Sequence, residues 1–283
     1  MSASQISKRQ AESWNLLTAL VRTSEEAKQS GKDEMFHQGL TDEEIFGNIF
    51  FYNLAGYETM ANTIATGIVL LAAYPEWQEW MAEEINLVFD DQEILPMGKY
   101  EAAFPRLSRC LAVMFEILRL YGSNAFIPKS TGSLSQTLRL NGNNHIIPSG
   151  TFTMANLQAL HTSPLSWGPD SLTWCPSCWL VSASNPAEPD RTERFVEPAR
   201  GTFAPWAESP RICPGRKLAQ VEFVTVMIAL FRKHRVQPVL LEGENIDAGK
   251  ERLRAIVNDS GISAITIQMR RPRDAVLMWR RVD

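Results

Sequence analysis

The stretch Pro210-Arg211-Ile212-Cys213-Pro214-Gly215-Arg216 decides how the rest of the chain is read, because an apolar run over 217–233 follows it without a break. That run is apolar on almost every side, which predicts a buried helix. A cysteine just ahead of a helix start faces unpaired backbone N–H groups and the positive end of the helix dipole. Both favour a thiolate, and Arg211 and Arg216 add positive charge beside it. The plainer reading is a free cysteine buried beside a turn, and these residues alone do not separate the two.

Two upstream groups bear on the choice. Glu116 and Arg119, in Phe115-Glu116-Ile117-Leu118-Arg119, are spaced to share one face of a helix predicted over 107–121. Their apolar neighbours point to a buried pair, which needs further hydrogen-bond partners to offset desolvation. An ordinary surface ion pair is the alternative. Ala55-Gly56-Tyr57-Glu58-Thr59 falls in the middle of a long apolar helix. A glycine there costs about 1 kcal/mol relative to alanine and leaves room for something to approach the backbone. Glu58 and Thr59 put an acid and a hydroxyl in apolar surroundings. The alternative is a tolerated glycine and a threonine bonded back to its own helix.

Composition narrows the classes. The chain has 283 residues, 45% hydrophobic and 21% charged, which excludes a disordered or fibrous protein and allows a sizeable core. A net charge of −4 argues against a nucleic-acid partner bound through the overall field. Arg270, Arg271, Arg273, Arg280 and Arg281 read as a solvated charge run flanking a strand. Four cysteines are too few for a disulfide scaffold. Residues 1–10 contain no apolar core of a secretory signal. The longest uncharged run, 59–75, is too short and polar for a membrane span of about 20 apolar residues. The chain therefore reads as soluble or peripherally attached, from a reducing compartment.

Element signals run along the chain. A helix is predicted over 12–30 and a polar connector over 32–38. Thr41 and Glu44 form a capping box that opens a long helix running to Tyr74, where Pro75 stops it. Apolar on most faces, it is expected to be central and buried. Pro75 starts another helix over 75–88. Beyond Gly122 come short strands over 126–147, with Asn141-Gly142 as a hairpin turn, then a strand and a short helix over 151–160. Residues 163–202 read as irregular. The stretch 262–269 alternates like a strand, and 275–279 is placed to pair with it. With no internal repeat and no flexible linker, the reading is one domain, 1–283, mainly α with small β-sheets.

The order Ala-Gly-x-Glu-Thr, then Glu-x-x-Arg, then a Cys-x-Gly turn before a helix resembles the C-terminal portion of the haem-thiolate monooxygenases, the cytochrome P-450 superfamily. The wording Gly201-Thr202-Phe203, Pro205-Trp206 and Pro210-Arg211-Ile212-Cys213-Pro214-Gly215 is most similar to filamentous-fungal members. The resemblance runs from the helix before Thr41 to the final strands. It implies a P-450-like haem-thiolate fold that lacks its N-terminal half. It also implies insertion of one oxygen atom from O2 into a hydrophobic organic substrate, with haem b as cofactor and NADPH electrons arriving through a partner reductase. A full-length relative would sit at the endoplasmic-reticulum membrane, and this chain, with no anchor, would be cytoplasmic or peripheral.

Roles follow from the resemblance. Cys213 would be the axial thiolate and metal ligand on haem iron, pushing electron density toward O–O cleavage. Arg211, and Lys129 in Ile127-Pro128-Lys129, would hold haem propionates. Ala55 and Gly56 would leave space above the iron, and Glu58 and Thr59 would deliver protons. Glu116 and Arg119 would be structural. Phe51, Leu54, Ala55, Thr59 and residues 123–126 would offer an apolar face to substrate.

The chain also departs from the pattern. The aromatic expected seven residues before the cysteine is present as Trp206, but the glycine expected four before it is Ser209, strained if its φ is positive. The Pro-x-Arg-aromatic element reads Pro176-Ser177-Cys178-Trp179, so Cys178 replaces an arginine and Glu116 is expected to lack a charge-assisted partner unless Arg191 or Arg194 substitutes. The missing N-terminal half admits a second reading, an inactive remnant with weak or no haem binding. Trp174-Cys175-Pro176-Ser177-Cys178 is also a Trp-Cys-x-x-Cys string. Thiol redox chemistry there wants a strand before and a helix after, whereas turn-rich residues flank it. A zinc site would need further ligands from Cys110, His145 or His161. His37 and His234 read as surface residues.

Overall fold

The computed structural model describes residues 16–30, 39–89, 100–182, 193–208, 211–263 and 266–282, in two compact units, 1–58 and 59–283. Trp14, His37, the connector 32–38, Arg191 and Ser209 lie outside the described residues. In the first unit, helix α1 (Leu16–Ser30) is followed by a close approach at Gly39, where a Cβ would strike the Ser24 carbonyl oxygen. The Ser24 hydroxyl donates to the Leu40 carbonyl at 2.7 Å.

The capping box opens helix α2 (Asp42–Ala73) as expected. The Thr41 N–H donates to Glu44 Oε2 at 2.8 Å, and the Glu44 N–H donates to Thr41 Oγ1 at 3.2 Å. The division between the units falls inside this helix, and so does a change of surroundings. Phe46, Phe50, Phe51 and Tyr57 are exposed, whereas Met60, Val69, Leu70 and Leu71 are buried. The expectation of a helix buried throughout is therefore corrected. An apolar helix is covered only where neighbours pack on it, and Gly67 is one such place, where a Cβ would come within 2.9 Å of Ile117 Cδ1.

The second unit is built around helix α4 (Ser108–Tyr121), with α3 (Pro75–Phe89), α6 (Arg216–Phe231) and α7 (Ile246–Asn258) contributing to the core; the short α5 (Leu157–His161) lies between α4 and α6 in the chain. Leu70, Leu71, Met81, Ile85, Met114, Ile117, Phe223, Met227, Phe231 and Leu253 form its apolar centre. Helix α6 buries one face and leaves Leu218 exposed, so it is less enclosed than its composition predicts. Gln78 of α3 is buried and fully used. Its amide donates to the Leu71 and Val236 carbonyls, each at 2.9 Å, and accepts the Val236 N–H at 2.7 Å.

The start of α4 has no side-chain cap of its own, and Glu84 of α3 supplies one. Its carboxyl accepts the Arg109 N–H at 2.8 Å, the Cys110 N–H at 3.3 Å and the Ser108 hydroxyl at 2.9 Å. Burial is the dominant influence and pushes the Glu84 pKa up to about 7, against the lowering effect of those donors. Burial likewise raises the Cys110 thiol well above its ordinary value.

The strands form small antiparallel pairs. β1 (Phe126–Ser130) pairs with β4 (Phe152–Asn156), and β2 (Gln136–Leu140) with β3 (Asn143–Ile147). Asn141 and Gly142 both take positive φ, 49° and 82°, as a two-residue hairpin turn requires. β5 (Leu180–Ser182) pairs with β6 (Glu193–Phe195), which gives order to part of the stretch read as irregular. β7 (His234–Pro238) pairs not with its neighbours but with the final strand, β10 (Leu277–Arg281). β8 (Ser260–Ser263) and β9 (Thr266–Met269) form a hairpin with each other. The expected pairing of 275–279 with 262–269 is thus corrected: β9 takes its partner from the adjacent turn, and the chain end returns to β7.

Candidate functional site

Helix α4 places Glu116 and Arg119 one turn apart on its inner face, 1% and 4% exposed, which decides for the buried pair over the surface one. Arg119 Nε donates to Glu116 Oε2 and Nη2 to Oε1, both at 2.7 Å, in a two-pronged ion pair. The remaining acceptor capacity of Glu116 is filled from one short segment. The Cys175 N–H donates to Oε1 and the Trp179 indole N–H to Oε2, both at 2.9 Å. Arg119 in turn donates to the carbonyls of His161, Ser171 and Thr173 and packs over the Trp167 ring.

This corrects the expectation that Cys178 leaves Glu116 short of a partner. The 3-10 turn Pro176–Trp179 brings an indole, and Cys175 just before it a backbone amide, where a guanidinium was expected. Arg194, the proposed substitute, is exposed on β6. Cys178 has a different engagement: it is joined to Cys175 in a disulfide, with the two Cα atoms 5.5 Å apart.

An aromatic cluster leads from this clasp to Cys213. Phe115 of α4 meets Trp179 at 5.4 Å, Phe203 at 5.5 Å and Trp206 at 5.3 Å between ring centroids. The Trp206 carbonyl accepts the Cys213 N–H at 2.9 Å, so the aromatic seven residues ahead closes the cysteine loop through its backbone. The Cys213 carbonyl accepts the Arg216 N–H at 3.3 Å, the first turn of α6 following from there. Ala207, inside this loop, has φ of 59°, a left-handed conformation that costs a residue with a Cβ about 1–2 kcal/mol.

His161, at the end of α5, pins the approach to the loop. It is buried, and its Nε2 accepts the Ala204 N–H at 3.0 Å. Burial lowers its pKa to about 4, so the ring is neutral and available as that acceptor near neutral pH. The sequence places His161 only among possible zinc ligands and does not single out Trp179 as a partner for Glu116. Their signals are an aromatic beside an expected triad position and a histidine directly after Ala159-Leu160.

Cys213 itself is a free, exposed thiol rather than a buried one. A Cβ on Gly215 would stand 3.7 Å from its sulfur, ordinary contact distance. Arg211 and Lys129 are exposed, the latter on β1 opposite Thr153. Thr59 belongs to the same unit and is half-buried; its carbonyl accepts the Thr63 hydroxyl at 2.8 Å and the Ser123 hydroxyl at 3.4 Å. Ala55, Gly56 and Glu58 belong to the first unit, where Ala55 and Gly56 are exposed and Glu58 is half-buried. Open space lies where a Gly56 Cβ would be, so protein packing does not demand glycine there. No helix among the described residues is long and apolar enough to cross a membrane.

Comparison with known proteins gives a single direction. The sequence pattern described as cytochrome P450 matches residues 2–259. A phomenoic acid biosynthesis cluster cytochrome P450 monooxygenase of Leptosphaeria maculans is 34% identical over 248 residues, covering 81% of this chain and 41% of that protein. Cytochrome P450 monooxygenase 124 of Postia placenta is 28% identical over 99% of this chain and 49% of its own length. Among solved structures, that of a cytochrome P450, CYP102L1, superposes with a TM-score of 0.68 at 20% identity, over 98% of this chain and 52% of the other. The chain spans about one third to one half of the length of the curated relatives it matches.

Proposed function

The chain belongs to the cytochrome P450 family, and on that premise we propose that it carries the thiolate side of a haem site and serves the insertion of one oxygen atom from O2 into a hydrophobic organic substrate. The observation that supports this most is the free Cys213 thiol, committed to no disulfide and held by its backbone ahead of α6. The donor set fits haem: a soft sulfur suits the iron, and the exposed cations Arg211 and Lys129 suit propionate carboxylates. Haem b, when bound, supplies the redox chemistry at iron, with electrons drawn from NADPH through a partner reductase.

The remaining roles belong to this chain's own side chains. Cys213 gives the thiolate, and Arg211 and Lys129 orient the cofactor through its carboxylates. Glu58 and Thr59 hold and pass protons, as an acid and a hydroxyl on an apolar helix can. Ala55 and Gly56 keep side-chain bulk away from the same stretch of α2. Glu116, Arg119, His161 and Trp206 are positioning residues that set the loop carrying Cys213. The whole 1–283 acts as one haem-thiolate domain in this reading, and its substrate is a small apolar molecule.

Haemin added to the purified chain is expected to raise the thermal midpoint, because a ligand that binds only the folded form must do so. On reduction under carbon monoxide it should give the red-shifted Soret band of thiolate ligation, and Cys213→Ser should abolish that band. A histidine-type or free-haem spectrum overturns the proposal. The exposure of Cys213 favours one second reading, a chain that keeps the family signature without retaining haem; an unmoved midpoint with haemin would select it.

A further inference from the structure

We propose that the Cys175–Cys178 disulfide is a thiol-exchange site, opened at Cys178 by a small-molecule thiol of the glutathione class, and that opening it loosens the clasp on Glu116. Access comes first. Cys178 is exposed and Cys175 half-buried, so an incoming thiolate reaches the Cys178 sulfur more readily. Cys110, by contrast, is 0% exposed and beyond reach while the protein stays folded.

The departing sulfur is also provided for. The Ser177 hydroxyl lies 3.7 Å from Cys175 Sγ, close enough to donate to a thiolate as it forms there. In the first step the external thiolate bonds to Cys178 Sγ, the Cys175–Cys178 bond breaks, and its electron pair leaves on Cys175. In the second step another thiol attacks the external sulfur of the mixed disulfide and frees Cys178. Two external thiols are oxidised to their disulfide, the protein disulfide is reduced, and the two protons end on Cys175 and Cys178.

The consequence comes from where the bridge sits. It closes the turn whose first residue offers the Cys175 N–H to Glu116 Oε1 and whose next residue after the bridge offers the Trp179 indole N–H to Oε2. Both donors outside α4 to a carboxylate 1% exposed are thus spaced by one covalent link. Opening it gives the turn conformational freedom that the bridge removes, and the fit of two donors at 2.9 Å is what that freedom erodes. Trp179 also packs on Phe203 at 4.8 Å, so the aromatic cluster next to the Cys213 loop feels the same change.

The test needs no haem and stands or falls apart from the functional reading. The full chain is titrated with glutathione, alkylated, and analysed peptide by peptide. Cys175 and Cys178 should take label together at thiol concentrations that leave Cys110 unlabelled, and the thermal midpoint should fall by about 2–8 °C over the same range. The double variant Cys175→Ser/Cys178→Ser should melt like the reduced protein and ignore glutathione. In Trp179→Phe, which already lacks one donor, the glutathione-induced drop should shrink at least by half. Labelling of the pair without added thiol, or only together with Cys110, overturns the exchange site. An undiminished drop in Trp179→Phe overturns the link to Glu116; should that variant not fold, an unchanged midpoint in reduced wild-type protein does the same.

Discussion

Glu116 and Cys213 belong to the same unit and are linked through Phe115 and Trp206, yet their surroundings differ in kind. Glu116 is buried, each of its oxygens accepts two hydrogen bonds, and every donor comes from this chain. Cys213 is exposed and is anchored through its backbone. The difference teaches what each region is for. A saturated buried carboxylate is architecture, because removing any partner strands a charge in a medium that solvates it poorly. An exposed thiol on a backbone-anchored loop contributes little to folding, so its chemistry is free for a ligand.

The largest effect should come from breaking that contrast directly. Glu116→Ala leaves the Arg119 guanidinium buried without its carboxylate and should cost about 3–5 kcal/mol in urea denaturation. Cys213→Ser, at an exposed position, should stay within about 0.5 kcal/mol of wild type. Comparable losses in the two variants would mean that the cysteine loop is as much a part of the framework as the clasp.

Acidification sharpens the comparison within the framework, where two buried groups have opposite signs. Glu84 has its pKa raised from 4.5 to about 7, so the stability it contributes is complete below 4.5 and lost as pH rises through 7. His161 has its pKa lowered from 6.5 to about 4, so its contribution is complete above 6.5 and lost as pH falls toward 4. Each displacement corresponds to about 3 kcal/mol. Between pH 4.5 and 6.5 the two oppose each other. Glu84→Gln should therefore make the protein less stable on acidification than wild type, and His161→Gln more stable, in urea titrations across that window. Parallel pH profiles for both variants would refute the assignment.

The smallest effects concern two glycines of one helix. Gly67→Ala pushes a Cβ to 2.9 Å from Ile117 Cδ1 and should cost about 1–3 kcal/mol. Gly56→Ala meets open space and should gain up to about 1 kcal/mol from helix propensity. If Gly56 keeps room for haem, that stabilised variant should also bind haemin more weakly, a split that melting and haemin titration read separately.

Much of the fold was legible in local chemistry. Thr41 and Glu44 announced the start of α2, Pro75 its end, and Asn141-Gly142 the hairpin, because capping, proline and positive-φ turns act within a few residues. Helix α7 went unnoticed although Asn245 caps it, its side chain accepting the Ala248 N–H at 2.9 Å, and Leu253, Ile256 and Val257 recur at helical spacing on its buried side. That pattern is diluted by Gly249 and by five charged residues in a helix of 13, so the polar face outweighs the apolar one to the eye.

What the sequence alone determined was the elements with local start, stop and turn signals, the family signature and the cysteine set just ahead of α6, since each is written in contiguous residues at set spacings. What only the tertiary structure decided was who satisfies Glu116, which strand receives the chain end, and which half of α2 is covered. Those depend on segments far apart in the chain meeting in space, Glu116 with Trp179 and β7 with β10. A buried polar group constrains its surroundings only to the extent that some donor must arrive; an indole and a backbone amide met that need where an arginine was expected.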